Sequence, residues 1–229
     1  MRYKNLVLVG TSHIAKEALV KVDSTLQREN PDIICLELDK QRLYGLMHEK
    51  KEKTKLKDIR KVGFKGYLFA RFGEWAENKL GDMVGVKPGS EMLIGEKYAR
   101  LNRKRLELID QDIGITLQRF SKTLTWTEKW RFFVDIIKAA VFRKKEVDFD
   151  LNTVPSQEVI NKLMSKVKKR YPNVYKVLIK ERNNYMAKRL EELIRKNPDS
   201  KIVAIIGAGH EEELIELIKK IEKGWMTYV

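Results

Sequence analysis

Four short apolar runs, each followed directly by polar residues, place the strongest constraint on the fold of this 229-residue chain. They are residues 5–10 (NLVLVG), 32–38 (DIICLEL), 106–109 (LELI) and 202–206 (IVAII). The first run, which ends at Gly10, is typical of a strand buried on both faces of a parallel sheet, and the other three have strand character. We therefore predict an α/β fold, with a mostly parallel sheet, flanking helices and a large helical insertion.

The segment between the first two runs has the pattern of a helix. Its apolar residues recur at helical spacing until Asn30 and Pro31 stop them; they are Ile14, Ala18, Leu19, Val22 and Leu26. About 20 residues are enough for a right-handed crossover to a parallel neighbouring strand. The chain is therefore predicted to open as a βαβ unit.

The remaining sequence is mainly helical in pattern, within a single predicted domain that covers residues 1–229. The βαβ core takes residues 1–40 and 201–223, a lysine-rich helical hairpin takes about 40–81, and the helical insertion takes about 112–197. Residues 85–89 (GVKPG) are predicted to form a loop, because a proline and two glycines break any helix there. Ser90 is predicted to cap the next helix, with Leu93 and Ile94 on its apolar face.

Charge is concentrated in two stretches of the chain. The net charge is +15, and residues 41–80 and 161–200 hold almost all of it, with 11 basic against 5 acidic residues in the first and 12 against 4 in the second. Such an excess could face nucleic acid or anionic lipid, but lysines on solvated helices give the same total. Aromatic residues do not interleave there as a stacking platform needs, which disfavours nucleic-acid binding.

The single cysteine, Cys35, cannot form an internal disulfide, and no cysteine spacing suited to a metal occurs. The first apolar run is too short for the core of a signal peptide. We therefore expect a reducing compartment, the cytoplasm.

Polar clusters follow all four predicted strands. In an open parallel sheet the carboxyl ends share one edge, where ligands bind, so the clusters should converge. They are Gly10-Thr11-Ser12-His13, Glu37-Leu38-Asp39, Asp110-Gln111-Asp112 and Gly207-Ala208-Gly209-His210.

Two of these clusters have the form Gly-x-x-His, in a chain with only three histidines. The glycine permits a sharp turn after the strand, and the histidine can then point back over the sheet edge. Two neutral imidazoles and one carboxylate are a common set of divalent-metal ligands, and His13, His210 and Glu37 supply that set. The alternative is that each histidine caps a helix or satisfies a buried polar group.

Arg182 is predicted to lie in a helix beside a buried face. That face is formed by Val177, Leu178, Tyr185, Met186 and Leu190. An arginine in such a place usually pairs with a carboxylate, and it could instead stabilise a developing oxyanion. The residues themselves leave both interpretations open.

The sequence resembles the TraB family, which includes bacterial pheromone-shutdown proteins and is related to the Tiki metalloproteases. The resemblance rests on GTSH at 10–13, PDIICLELDKQR at 31–42, GVKPGSEM at 85–92, LIDQDIGITLQR at 108–119, ERNNYMAKRL at 181–190 and VAIIGAGH at 203–210. It implies that His13, Glu37, Arg182 and His210 are shared site residues. It also implies a core like that of the Tiki proteins, which are described as metal-dependent peptidases.

The sequence departs from the TraB pattern in two places. Gln111 stands where the pattern usually has an arginine between two aspartates. Many relatives also continue into a hydrophobic C-terminal region, which implies membrane association for longer members, whereas this sequence stops at Val229.

The predicted function is metal-dependent hydrolysis of a peptide or small molecule with a divalent ion such as manganese, cobalt or zinc. His13 and His210 would hold the ion, Glu37 would be a third ligand or the base for its water, and Arg182 would stabilise the oxyanion. The alternatives are metal-free hydrolysis by His and Glu, or a non-catalytic peptide-binding or regulatory protein. The oligomeric state is left open.

Overall fold

A five-stranded sheet forms the centre of the protein. The computed structural model describes residues 1–11, 16–48, 89–128, 130–131, 134–135 and 157–225, with Lys16 and Gln157 described by backbone alone. The strands are β1 (Arg2–Tyr3), β2 (Leu6–Thr11), β3 (Ile33–Leu36), β4 (Arg105–Leu108) and β5 (Ile202–Gly207), in the order β1-β2-β5-β3-β4. All pairs are parallel except β1 with β2. The predicted α/β class and mostly parallel sheet are confirmed.

The order of the strands differs from the predicted βαβ unit in one respect. β2 and β3 are parallel but not neighbours, because β5 lies between them and pairs with both. Every residue of β5 is buried, whereas none of β4 is buried. An apolar strand gains most in the middle of a sheet, so the last strand of the chain takes the central place. β1 is only two residues long, too short for a pattern to show in the sequence.

Helices cover both faces of the sheet. Their bounds are α1 (Lys16–Glu29), α2 (Lys40–Met47), α3 (Ser90–Leu101), α4 (Ile113–Thr123), α5 (Gln157–Arg170), α6 (Pro172–Tyr175), α7 (Arg182–Lys196) and α8 (Glu211–Glu222). A π-helical segment, Lys176–Glu181, joins α6 to α7 in one continuous helical run. A 3₁₀ turn, Ala208–His210, leads from β5 into α8.

Side chains alternate between two cores, as the two-residue period of a strand requires. In β3, Ile33 and Cys35 face one core and Ile34 and Leu36 face the other. The first core is closed by α7 and α8, and the second by α1 and α3. The sheet is therefore the middle of three layers, and only its ends remain open for a site.

The predicted cap of α3 was wrong. Gly89, with φ of 84°, is the N-cap of α3, so Ser90 is its first helical residue and not its cap. The fully buried face of α3 carries Met92, Tyr98 and Ala99, and Ile94, which is half-buried like Leu93, packs against the same core. The helix is turned this way because Gly95 rests against the sheet.

The predicted buried face around Arg182 also needs correction. Val177, Met186 and Leu190 are buried, but Leu178 is half-buried and Tyr185 is 41% exposed. A π-helical turn is wider than an α-helical turn, so residues on either side of it do not keep the spacing of one continuous α-helix. Arg182 is the first residue after this π segment.

Several predicted features lie outside the described residues. They include His13, loop residues 85–88 and most of the lysine-rich hairpin, of which α2 is described. Of the insertion at 112–197, the structure describes α4 and the helices from α5 to α7. None of the helices in the described parts of the chain has the length and apolarity needed to cross a bilayer.

Candidate active site

Three of the four polar clusters meet at the carboxyl edge of the sheet. β5, β3 and β4 are consecutive neighbours, and the residues that follow them include His210, Glu37 and Asp110. Glu37 and Asp110 both contact Arg182, and Glu37 also contacts His210. Of the predicted site residues, the structure brings Glu37, Arg182 and His210 together; His13 is not among the described residues.

Glu37 is the centre of this cluster, and it is only 2% exposed. Its Oε2 accepts a hydrogen bond of 2.6 Å from the backbone N–H of Gly207, and its Oε1 pairs with Nη2 of Arg182. Its own backbone N–H donates to the carbonyl of Ile205. The carboxylate is therefore held on both oxygens and cannot rotate without breaking a buried contact.

Arg182 links two buried carboxylates. Its Nε donates to Oδ1 of Asp110 at 3.0 Å and its Nη2 to Oδ2 at 2.7 Å, a bidentate pair, while Nη1 donates to the carbonyl of Leu178 at 3.2 Å. Burial alone would lower the pKa of Arg182, but the charges of Glu37 and Asp110 raise it above its usual value. Pairing with carboxylates, one of the two predicted interpretations, is what the structure shows.

Asp110 receives a second cation from α2. Nη1 of Arg42 lies 2.8 Å from Oδ2 of Asp110. The two carboxylates of Glu37 and Asp110 are thus matched by the two guanidinium groups of Arg42 and Arg182. At Gln111, where the resemblance leads one to expect an arginine, the backbone N–H donates to Oδ1 of Asp110 at 2.8 Å.

His210 lies at the start of α8 and is 6% exposed. It occupies the N-cap position, yet its side chain makes no capping hydrogen bond. Its Nδ1 contacts Oδ1 of Asn183, whose Nδ2 donates to Oε2 of Glu213 at 2.8 Å. A carboxylate only accepts, so Glu213 fixes the amide with its oxygen toward the histidine. Nδ1 must therefore carry the proton, and Nε2 faces Oε1 of Glu37 at 3.3 Å.

These donors are of the kinds that a divalent ion prefers. Nε2 of His210 and Oε1 of Glu37 are adjacent, and the second nitrogen of the imidazole is held by an amide, as metal-ligating histidines usually are. Within the part of the chain that the structure describes, no group of three or more His, Cys, Asp or Glu side chains is arranged to hold a metal. The described residues fit two ligand positions, and His13 is the predicted third.

Other carboxylates of the polar clusters have structural roles. Asp39 caps α2 by accepting from the N–H groups of Gln41 and Arg42, at 2.8 and 3.1 Å. Its second oxygen accepts from the N–H of Ile113 at 3.2 Å. Asp112 caps α4 through the N–H of Gly114 at 2.8 Å. These aspartates fix how the two helices leave the sheet edge, and through α2 they also position Arg42.

Three residues of the site have roles that were not predicted from the sequence. Asp110 belongs to a predicted polar cluster, and Arg42 and Asn183 stand within longer motifs of the family resemblance. The available signal was their position: Arg42 and Asn183 stand in the same segments as Glu37 and Arg182. Their function depends on contacts between distant segments, which no local spacing encodes.

Comparison with known proteins agrees with the resemblance seen in the sequence. Residues 3–222 match the model of the TraB/PrgY/gumN family. A relative from Methanocaldococcus jannaschii, described as an uncharacterized protein, is 34% identical over 224 residues, which cover 96% of this chain and 55% of the relative. The chain thus spans about half the length of that curated relative. It belongs to the TraB/PrgY/gumN family.

Proposed function

We propose that this member of the TraB/PrgY/gumN family is a divalent-metal-dependent hydrolase that cleaves peptides at the carboxyl edge of its sheet. The observation that carries the proposal is the facing of Nε2 of His210 and Oε1 of Glu37 at 3.3 Å, with the imidazole proton held on Nδ1 by Asn183. Two electron-rich atoms so placed repel each other unless a cation lies between them. A metal ion or a proton can fill that role.

His13 is proposed as the remaining metal ligand. Thr11, the last residue of β2, pairs with Gly207 in the sheet. His13 follows Thr11 by two residues, so the covalent chain allows at most about 7 Å between their Cα atoms. This short tether to the carboxyl end of β2 supports His13 as the third ligand.

Glu37 and Arg182 are proposed to carry the remaining chemistry. A divalent ion in such a site supplies Lewis-acid polarisation and makes water a stronger nucleophile near neutral pH. Oε1 of Glu37 would either complete the ligand set or accept the proton of the attacking water, while Arg182 and the N–H of Gly207 hold the carboxylate in place.

Arg182 keeps one donor for the substrate. Of the five N–H donors of a guanidinium group, four go to Asp110, Glu37 and the carbonyl of Leu178. The second proton on Nη1 has no partner among the described residues. The side chain as a whole is 16% exposed, and this proton is proposed to hold the oxyanion that forms when the peptide carbonyl is attacked.

The metal is tested by calorimetric titration of the purified protein with manganese, cobalt and zinc. We expect His13→Ala and His210→Ala to abolish binding of the preferred ion. His48→Ala is the matched control, because His48 is exposed and stacks on Tyr44 away from the site. Unchanged affinity in both site variants would remove the metal-ligand assignment.

The reaction is tested with a peptide library in the presence of the bound ion. Glu37→Gln keeps the shape of the side chain but loses its basicity, so cleavage should fall by about 10²-fold or more. Glu107→Gln, which changes a carboxylate of β4 that pairs with Arg105 and Arg189, should leave cleavage unchanged. Cleavage that survives Glu37→Gln and a chelator would contradict the proposal, as would no cleavage by metal-loaded protein.

A metal-free hydrolase that uses His210 and Glu37 directly is the second candidate. The balance of charge favours this candidate over a divalent ion, because Glu37 and Asp110 are already matched by Arg182 and Arg42. A proton adds one positive charge to the site, whereas a divalent ion adds two. In that case a proton on Nε2 of His210 would bridge to Glu37. Full activity in chelator, lost in both His210→Ala and Glu37→Gln, would select this candidate over the metal-dependent one.

A further inference from the structure

A cavity lies beside the proposed active site. Its volume is about 410 Å³, and it is lined by Lys168, Pro172, Tyr175, Lys176, Lys180 and Glu213. α5, α6, the π-helical segment and α8 each contribute to its wall. The cavity therefore forms where four helical segments meet, and not on a single flat helix face.

One wall of the cavity leads directly to His210. The hydroxyl of Tyr175 donates to Oε2 of Glu213 at 3.3 Å, and Nδ2 of Asn183 donates to the same oxygen at 2.8 Å. The other end of the Asn183 amide contacts His210. A single buried amide side chain, that of Asn183, thus separates the cavity wall from the imidazole.

The charge of the lining is strongly positive. Lys168, Lys176 and Lys180 face one carboxylate, Glu213, and that carboxylate is already engaged by Tyr175 and Asn183. None of the three lysines forms an ion pair with a carboxylate in the described part of the chain. Lys168 instead lies over the ring of Tyr175, 5.5 Å from its centroid. The cations are therefore available to an anionic ligand.

We infer that this cavity binds a carboxylate of the peptide substrate, at its C-terminus or on an acidic side chain, and so sets a preference for acidic peptides. The inference rests on the proposed function, because it assigns a subsite to the same active site. A singly charged carboxylate fits better than a phosphate, since Glu213 in the wall repels a second negative charge. Pro172 and the ring of Tyr175 offer apolar contact to the rest of the residue.

The test is a binding experiment that needs no turnover. Three acetylated hexapeptides share one neutral core sequence: one ends in a free carboxylate, one in a carboxamide, and one is amidated but has a glutamate near its end. Their affinities are measured calorimetrically in chelator at low salt. We expect about 10-fold tighter binding of at least one carboxylate peptide over the neutral amide, and the third peptide distinguishes the two sources of carboxylate.

Two variants with equal charge loss make the result specific to the cavity. Lys176→Gln with Lys180→Gln should abolish the preference for carboxylate, whereas Lys97→Gln with Lys220→Gln, at exposed positions outside the cavity lining, should keep it. Equal affinity of all three peptides for the wild type would overturn the inference, and so would a preference that survives in the first variant. If the preference is present but no peptide is cleaved, the proposed function fails while the subsite stands.

Discussion

At the scale of single residues, the chemistry of the site depends on which nitrogen of His210 carries the proton. Asn183 decides this, because Glu213 orients its amide so that the oxygen faces Nδ1. The chain thus holds Nε2 ready as a ligand or acceptor toward Glu37. Asn183 acts on the substrate only through His210, so it is a positioning residue.

Asn183→Ala should remove the contact that holds the proton of His210 on Nδ1. The proton would then be shared between both imidazole nitrogens, which nitrogen-15 NMR resolves easily in a chain with three histidines. The loss of buried hydrogen bonds should also cost about 1–3 kcal/mol of unfolding free energy. Asn161→Ala, which removes an exposed hydrogen bond to Glu212, should change neither quantity measurably. A His210 spectrum that is the same in Asn183→Ala and the wild type would contradict the assigned role.

Arg182 and Arg119 allow a direct comparison of a buried and an exposed ion pair. Both hold carboxylates with two nitrogens, but the side chain of Arg182 is 16% exposed and that of Arg119 is 48% exposed. Arg182→Met should lower the free energy of unfolding by about 3–5 kcal/mol, because Glu37 and Asp110 stay buried but lose the guanidinium group that pairs with both. Arg119→Met should cost less than about 1 kcal/mol. Chemical denaturation of both variants measures the difference, and equal losses would refute it.

At the scale of elements, close packing decides where a helix lies on the sheet. A Cβ on Gly95 of α3 would lie 2.6 Å from Cδ1 of Ile205 and 2.8 Å from Cδ2 of Leu36. Gly45 of α2 has nothing within 4 Å of the same position. Both glycines lie within helices, but only the position of Gly95 has no room for a side chain.

Gly45→Ala should stabilise the protein, whereas Gly95→Ala should not. Either substitution gains about 1 kcal/mol of helix propensity. At position 95 the clash with Ile205 and Leu36 costs about 1–3 kcal/mol, so the net effect is destabilising or near zero. At position 45 nothing opposes the gain, and the melting temperature should rise. A stabilised Gly95→Ala would show that the sheet yields easily at this contact.

Glu128 connects the segment after α4 to the start of α6. It is 3% exposed and accepts from the N–H of Asn173 at 2.8 Å, from Nδ2 of Asn173 at 2.7 Å, and from Thr125. Burial alone would raise the pKa of Glu128, but the hydrogen bonds from Asn173 and Thr125 lower it below its usual value. The hydrogen bonds of Glu128 help to position the helical run that carries Arg182 and Asn183.

The lowered pKa of Glu128 predicts a pH dependence with a definite sign. A depressed carboxyl pKa stabilises the fold above the unfolded pKa of about 4.3, and the stabilisation disappears as the pH falls through the folded value. The free energy of unfolding of the wild type should therefore exceed that of Glu128→Gln by about 1–2 kcal/mol at pH 7. This difference should shrink below about pH 4.3. Glu158→Gln on the exposed face of α5 is the control. A difference independent of pH would exclude this role for the charge.

At the scale of the whole molecule, the net charge is +15, and many lysines in the described part of the chain are exposed. On α5, Lys162, Lys166, Lys168 and Lys169 are all exposed. Charge of this kind attracts any polyanion by release of its counterions, with no selection of sequence. The cavity near His210 differs from these scattered surface charges because three lysines lie there beside the apolar surface of Pro172 and Tyr175.

Binding to DNA should therefore be weak and unselective. We expect two unrelated duplexes to bind equally, and affinity to fall steeply between roughly 50 and 200 mM salt. Fluorescence anisotropy with both duplexes measures this. Sub-micromolar affinity for only one of the two duplexes near physiological salt would instead indicate a sequence-reading surface.

The local patterns of the sequence determined the strands and the edge where the site lies. Short apolar runs predicted β2 to β5. β2, β3 and β5 are largely buried because both faces of the sheet are covered there, whereas no residue of the edge strand β4 is buried. The polar residues after them marked Glu37 and His210, because parallel strands end at one edge. These features depend on neighbours in sequence, which a pattern can record.

The tertiary structure alone decided how these parts combine. Glu37 and Arg182 are 145 residues apart, and the place of β5 between β2 and β3 depends on which strand gains most from burial on both faces. The π-helical segment shifted the buried face that a uniform helical period predicted. The proton on Nδ1 of His210 depends on Glu213 through Asn183, three side chains joined only in the folded chain. Such choices are made by contacts between distant segments, whose energies no local spacing contains.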